Sequence, residues 1–352
     1  MPNLTRREFL RRLAAAGLGT FATGSLLSAC GKQESSPSPT LAPTSNSVIP
    51  TTAAQTPTVI TAPVTPTAVP TVSHTATDLP PVGPHLVVAR GGQPEELVRR
   101  ALAALGGMEQ FVHKGDDVII KPNISVGDHS YEHAATTNPW VVGELVRLCL
   151  AAGARRVRVL DQPFGSGPEQ AYASSGIQKE VLAAGGQMEI MAGFKFVSTD
   201  IPRGIDLQKW DLYEDALQAD VLINVPIAKH HNLARLTLGM KNLMGLIRNR
   251  PAMHSNLGQR LADLASVFQP TLTVVDAVRI LTANGPTGGN LADVKKLNTV
   301  IVSPDIVAAD SYAATLFDLK PDDLAYVRAA AAMGLGRNDL HNLKVEEVVL
   351  VS

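Results

Sequence analysis

The sequence predicts an α/β domain with a largely parallel sheet and helices on both faces, preceded by a signal peptide and a disordered linker. Three observations carry this reading. Strand-like and helix-like segments alternate over residues 85–352, the order of a parallel sheet with crossover helices. The runs Asp220–Val225, Leu272–Val275 and Thr299–Val302 are largely apolar with little alternation, as strands covered on both faces are. Polar residues gather just past these runs, where open α/β sheets form their ligand crevice.

Taken in order, Leu86–Ala89 reads as a strand and Pro94–Leu105 as an amphipathic helix stopped by Gly106-Gly107. Asp117–Lys121 is a second strand. Asn138 then caps a helix that opens on Pro139, the favoured first position for proline, and Gly153 ends it. Arg156–Leu160 is a strand, Pro168–Ser174 a helix, Val181–Ala184 its helical continuation, and Met188–Met191 strand-like. After the strand Asp220–Val225, Leu236–Ile247 and Leu257–Phe268 read as helices. Leu272–Val275 and Thr299–Val302 follow as buried strands, Ile306–Leu316 and Leu324–Met333 as helices, and Val345–Val351 as a closing strand.

The first thirty residues read as an address. Arg6-Arg7 sits in the paired-arginine pattern Thr5–Leu10, a mild apolar stretch runs from Leu13 to Leu27, and Leu27-Ser28-Ala29-Cys30 closes it. This predicts recognition by Tat-type export machinery, lipidation at Cys30, and a protein held to the membrane through that lipid on the outer side of the cytoplasmic membrane. The apolar stretch is diluted by Ala and Gly, too weak to span a bilayer. Residues 31–84 are dominated by Pro, Thr, Ser and Ala with almost no charge, the composition of an extended tether. Residues 85–352 form the head.

The chain of 352 residues is 45% hydrophobic and 18% charged, with net charge −1. The first 35 residues hold five of the 31 basic and two of the 32 acidic residues, which leaves the remainder at −4. No basic run appears and aromatics are only 4%, so a nucleic-acid surface is not expected. Of the two cysteines, Cys149 lies in the apolar helix Val141–Leu150 and reads as a buried structural thiol. One cysteine beside Cys30 provides neither a disulfide nor the ligand set of an iron–sulfur cluster.

The polar residues past the strands are the candidate site. Lys121-Pro122-Asn123 follows one strand and Asp161 another, Asp276 ends a third, and Asp305 follows a fourth. Lys229-His230-His231, Gly239–Gly245 and His254 form the densest polar run. Lys229 and Lys241 suit carboxylate or phosphate as point charges. His231 and His254 suit proton transfer or metal ligation, though this run holds neither His-x-x-x-His nor Cys-x-x-Cys spacing. Asn284–Asn290 is a glycine-rich loop without the endings of a P-loop or a dinucleotide fingerprint, which leaves an anion nest or a lid. Asp305 reads as a helix cap. Asp310, inside an apolar helix, needs a lysine, a metal or another partner.

On these residues the chain resembles the uncharacterised family DUF362. The resemblance runs from about Val87 to Gly336. It rests on Lys121-Pro122-Asn123, Lys229-x-His231, Gly239-x-Lys241-Asn242-x-x-Gly245 with His254, Asp276 followed by Gly285-Pro286, Asp305-x-x-Ala308-x-Asp310 and Gly334-Leu335-Gly336. It implies an α/β domain of unsettled activity. Several relatives carry an added ferredoxin-like cysteine cluster, whose cysteines this chain lacks, so a cluster-dependent redox role does not carry over.

The expected function is an enzyme acting on a small anionic ligand, with a divalent metal as an option. The alternative is an anchored ligand-binding module, and a third reading makes the charged set structural ion pairs. Lys229, His231, Lys241 and Asp276 are the expected catalytic groups, and Lys121, Asn123, Asn242 and Gly285 the ligand-binding ones. Asp161, His254 and Asp310 are the expected metal ligands.

Overall fold

Side chains alternate across a strand, so a strand that feeds both faces of a sheet must build two cores. In a computed structural model, which describes residues 85–351, two cores form on this rule. Leu86, Val88, Ile119, Leu222, Val275 and Ile301 point to one. Val87, Ala89, Val118, Ile120, Ile223, Val274 and Val302 point to the other. The expected signal peptide, the expected linker and Cys30 lie outside the described residues.

The chain runs β1 (Leu86–Arg90), α1 (Pro94–Ala104), β2 (Asp117–Pro122), α2 (Pro139–Ala151), β3 (Arg156–Val159), α3 (Pro168–Ser174), α4 (Ile177–Ala183) and β4 (Gln187–Met188). A hairpin of β5 (Phe196–Asp200) and β6 (Lys209–Tyr213) stands apart as a small sheet, followed by α5 (Glu214–Gln218). Then come β7 (Val221–Val225), β8 (Ile227–His231), β9 (Arg235–Thr237), α6 (Gly239–Asn242) and α7 (Leu257–Phe268). The chain closes with β10 (Leu272–Leu281), β11 (Val294–Ser303), α8 (Ile306–Ala314), α9 (Ala325–Ala332) and β12 (Val345–Val349).

The main sheet has the order β12-β1-β11-β10-β7-β2-β3-β4, with β8 beside β10 and β9 beyond β8. It is mostly parallel, and β11 runs against both β1 and β10. α1 to α4 pack on one face, and α7 to α9 on the other. From β2 the chain moves outward to β3 and β4, then returns to β7 on the other side of β2. That reversal is a topological switch point, and the crevice beyond the strand ends there is where α/β sheets bind ligands.

Local chemistry explains most boundaries. Asn138 caps α2 by accepting from the Trp140 N–H at 3.1 Å, with Pro139 first in the helix. Asp305 caps α8 by accepting from the N–H groups of Val307 (2.8 Å) and Ala308 (2.9 Å). Three expectations are corrected. Leu236–Ile247 is no continuous helix: Arg235–Thr237 pairs with β8, a short helical turn follows, and Leu243–Leu246 continues as 3-10 helix. Strand pairing overrides the apolar spacing there. Leu272–Val275 and Thr299–Val302 are parts of two ten-residue strands, paired antiparallel with an irregularity between Ala277 and Arg279. Met188–Met191 contributes only its first residue to a strand.

Candidate active site

Lys121 lies at the end of β2, and the strand's alternation turns it off the apolar face that Val118 and Ile120 occupy. It is fully buried. Its Nζ donates to the Asp161 carboxylate at 2.7 Å, to Asn242 Oδ1 at 2.9 Å and to the Pro122 carbonyl at 2.7 Å. All three ammonium protons are therefore used. Burial pulls its pKa down and Asp161 pulls it back up, the net being a lowering. Asp161, just past β3, also accepts from the Ile124 N–H (2.6 Å) and the Gln162 N–H (2.9 Å). A Cβ at Gly245 would collide with the Asp161 carboxylate and the Lys121 amine, so glycine lets that backbone lie against the pair.

Lys229 is buried too, in β8, but faces no carboxylate. Its Nζ donates to Ser125 Oγ (2.6 Å), the Ala135 carbonyl (2.6 Å), Asn123 Oδ1 (2.9 Å) and the Pro286 carbonyl (2.9 Å). Burial, with Lys241 and Lys121 nearby, pulls its pKa well below the ordinary lysine value. Three of its four partners are oxygens that only accept, and a neutral amine has two protons where an ammonium has three. The oxygen cage opposes the pull of burial and is satisfied only by the charged form. Lys229 thus clamps the segment after β2 and the glycine-rich loop through Pro286.

Lys229 and His231 are two apart on β8, so they share a face, and Thr237 of β9 sits opposite Lys229. His231 Nδ1 accepts from the N–H groups of Leu233 (3.1 Å) and Ala234 (3.2 Å). Its neutral ring therefore carries the proton on Nε2. Burial first, then Lys241 and Lys229, push its pKa down to about 3. His254 has the opposite tautomer: its Nδ1 lies 3.0 Å from the Pro251 carbonyl, which can only accept, so Nε2 is the free acceptor.

Lys241 lies in α6. Both N–H groups of Gly239 and Met240 donate to the Asp310 carboxylate, at 2.6 and 2.9 Å, which fixes the turn. The Lys241 side chain makes no hydrogen bond or ion pair with any described residue, and burial, with Arg250 and Lys121 nearby, lowers its pKa to about 8. Arg250 donates to the carbonyls of Gln162 (2.8 Å) and Pro163 (3.1 Å), which leaves three of its five N–H groups unused.

These groups meet in one cavity of about 440 Å³, within the usual range for a small-molecule site. Eight of the expected residues line it: Lys121, Asn123, Asp161, Lys229, His231, Lys241, Asn242 and His254. Ser125, Thr237 and Arg250 line it as well and were not foreseen. The Thr237 hydroxyl is buried without a hydrogen-bond partner, a group a ligand would satisfy.

Three expected residues do not line this cavity. Asp276 is fully buried in β10 and accepts from the N–H groups of Asn138 (2.7 Å) and Val278 (2.9 Å), with burial raising its pKa to about 6. It ties the start of α2 to the sheet. Asp310, buried and raised to about 7, holds α6. Gly285 approaches the His230 backbone too closely for any side chain and donates its N–H to His230 Nδ1 at 3.2 Å. The expected metal set is not assembled: Asp161 and His254 line the cavity while Asp310 is committed to backbone amides. Among the described residues no three His, Cys, Asp or Glu side chains gather as a ligand set.

The family described as "Domain of unknown function (DUF362)" matches residues 118–315, more than half of the chain. The chain belongs to DUF362. The match takes in Lys121, Asp161, Lys229, His231, Thr237, Lys241, Arg250 and His254, so the whole cavity lies within the family's own domain. This DUF362 chain is 28% identical over 253 residues to the thylakoid-associated protein sll1697 of Synechocystis sp., covering 68% of this chain and 74% of that protein. Among solved structures it has a distant likeness to the lactate racemase apoprotein of Thermoanaerobacterium thermosaccharolyticum. The TM-score is 0.39 at 16% identity, with 63% of this chain and 55% of that one covered, so it spans little more than half of that structure.

Proposed function

We propose that this DUF362 protein is an enzyme acting on a small anionic molecule, a carboxylate or phosphate, held in the cavity at the switch point. One observation carries the reading: three groups with unused donors face the same space. Lys241 has no partner, Arg250 keeps three N–H groups, and the Thr237 hydroxyl is orphaned. Among the described residues the one carboxylate in the lining, Asp161, is already paired with Lys121. Unmatched positive charge in a half-closed pocket is costly, and an anion offsets it. Turnover, as opposed to mere capture, is supported by two imidazoles of opposite tautomer, His231 donating and His254 accepting. The free His254 Nε2 can take a proton, while the His231 ring, held neutral by its low pKa, offers its Nε2–H as a hydrogen-bond donor to a developing oxyanion.

The test is thermal unfolding of the full chain with phosphate, sulfate or propanoate. At concentrations well above Kd the expected gain is about 2–3 kcal/mol of stability, lost in Lys241→Met. Absence of stabilisation by every anion would remove the reading.

The N-terminal address is part of the same proposal. The Cys30 motif supports a lipid anchor outside the cytoplasmic membrane, and the thylakoid association of the Synechocystis relative agrees with a membrane-side location. No helix among the described residues is long and apolar enough to cross a membrane. Cys30→Ala should move the protein from the membrane fraction to the soluble one; unchanged fractionation would contradict the anchor.

A further inference from the structure

Of the three lysines in the cavity, two are fixed by oxygen cages and one is not. Lys121 and Lys229 have three and four oxygen partners within hydrogen-bond distance inside the protein. Lys241 donates none, yet its backbone is held rigidly by the Asp310 carboxylate beneath the helical turn that carries it. A lysine built only to attract an anion is best kept charged, beside a carboxylate and in contact with water. Lys241 differs: it is half-buried with no paired carboxylate among the described residues, and Arg250 and Lys121 are the charges that act on it. Desolvation next to other cations is the arrangement that releases a lysine amine as a nucleophile.

Resting on the anion-binding reading above, we propose that Lys241 forms a covalent imine with the carbonyl carbon of a small 2-oxo acid whose carboxylate is held by Arg250. The Lys241 Nζ lone pair attacks the carbonyl carbon, and the C–N bond forms as the C=O π electrons move to oxygen. Nitrogen gives up a proton and oxygen gains one, which yields a carbinolamine. The C–O bond then breaks, water leaves with the second nitrogen proton, and the C=N bond is complete. His254 Nε2 is the free acceptor that takes the nitrogen proton and returns it to the oxygen, and His231 Nε2–H is the hydrogen-bond donor that steadies that oxygen in the same space. The orphaned Thr237 hydroxyl is a further donor for the departing oxygen. An imine next to a carboxylate is an electron sink, so the reaction class is bond cleavage or proton removal at the carbon beside the carbonyl. The amine must be neutral to attack. With the Lys241 pKa lowered to about 8, a far larger fraction is reactive at neutral pH than for an ordinary lysine.

The experiment treats the full chain with glyoxylate, pyruvate or 2-oxoglutarate, adds sodium borohydride, and locates the reduced adduct by peptide mass mapping. Propanoate, which has the carboxylate but no carbonyl, is tested in parallel for thermal stabilisation. The expected result is an adduct on the peptide carrying Lys241, at least tenfold above any other lysine. It should be abolished in Lys241→Arg, which has no amine able to form an imine. The initial rate of adduct formation should rise about tenfold per pH unit below about pH 8 and level off above it. Propanoate stabilisation without an adduct from any of the three oxo acids overturns the imine and leaves the anion site standing. Adduct spread evenly over surface lysines overturns it as well. Neither stabilisation nor adduct removes both readings.

Discussion

Two clusters of charge in this protein are built on different rules. In the first, Arg158 meets Asp117 (3.0 Å), Glu189 (3.1 Å) and Asp215 (2.5 Å), Arg156 also meets Asp117 (2.5 Å), and Lys195 meets Asp215 (2.7 Å) and Glu189 (3.3 Å). Three cations face three carboxylates. In the cavity, Lys121, Lys229, Lys241 and Arg250 face Asp161 alone. The pKa directions follow. At Asp117 burial pushes the carboxyl up, and the Arg156 and Arg158 guanidiniums more than offset it, so the net is a lowering. Lys195 is raised, chiefly by its hydrogen bond to Asp215. In the cavity the pKa values of Lys121, Lys229, Lys241 and Arg250 are all lowered, with burial first among the causes. A matched network stabilises the fold as it stands; an unmatched one is completed by something from outside.

The largest effect should come from breaking the one matched pair inside the cavity. Asp161→Ala leaves Lys121 buried without its counter-charge and strands the amides of Ile124 and Gln162. A loss of about 3–5 kcal/mol is expected, read by urea unfolding. The double variant Lys121→Met with Asp161→Ala should recover much of it, because the uncompensated charge is gone. A single-variant loss below about 1 kcal/mol would mean that the pair is not the structural member of the cavity.

The next effect has the opposite sign. Lys241→Met removes an unmatched cation and keeps most of the apolar stem, so the ligand-free protein should gain about 2 kcal/mol at neutral pH. The folded pKa of Lys241, about 8, lies below the unfolded value of 10.5. Between them the unfolded chain holds more protons, so wild-type stability should rise from about pH 8 to about pH 10.5. The variant should lack that rise, and saturating anion should abolish it in the wild type by restoring the ammonium. A Lys241→Met protein less stable than wild type would show that the lysine has a partner and that the contrast between the clusters is false.

How much of this was legible in the residues differs from element to element. Lys121, Asn123 and Asp161 were readable because they directly follow strands, and strand ends at a switch point define the crevice. Lys241, Asn242 and the glycines around them stood out by density. Thr237 was hidden because its position depends on pairing between β8 and β9, where apolar spacing favoured a helix. The spacing of two in Lys229-x-His231 was the available sign of a strand. Arg250 was hidden because its partners are the carbonyls of Gln162 and Pro163, and every residue has a carbonyl. The same blindness misplaced Asp276 and Asp310. A carboxylate in an apolar run must find donors, but backbone amides leave no mark in the sequence, whereas the expected lysines and metals do. Asn138 and Asp305, whose caps are local, were read correctly for the complementary reason.

The smallest effect tests the matched cluster from its edge. Lys195 has its side chain 29% exposed, and both of its carboxylate partners keep Arg158 when it is removed. Lys195→Ala should therefore cost no more than about 0.5 kcal/mol. Its folded pKa is raised, so whatever it contributes is fully present below pH 10.5 and fades only as pH climbs through the folded value. Between pH 6 and 9 the variant and the wild type should differ by a constant. Anion stabilisation should also be unchanged, because Lys195 is not part of the cavity lining. If Lys195→Ala weakened the anion response as strongly as Lys241→Met, binding would follow total charge and not the unpaired donors of the pocket. The distinction between a closed ion network and an open one would then fail at its cheapest test.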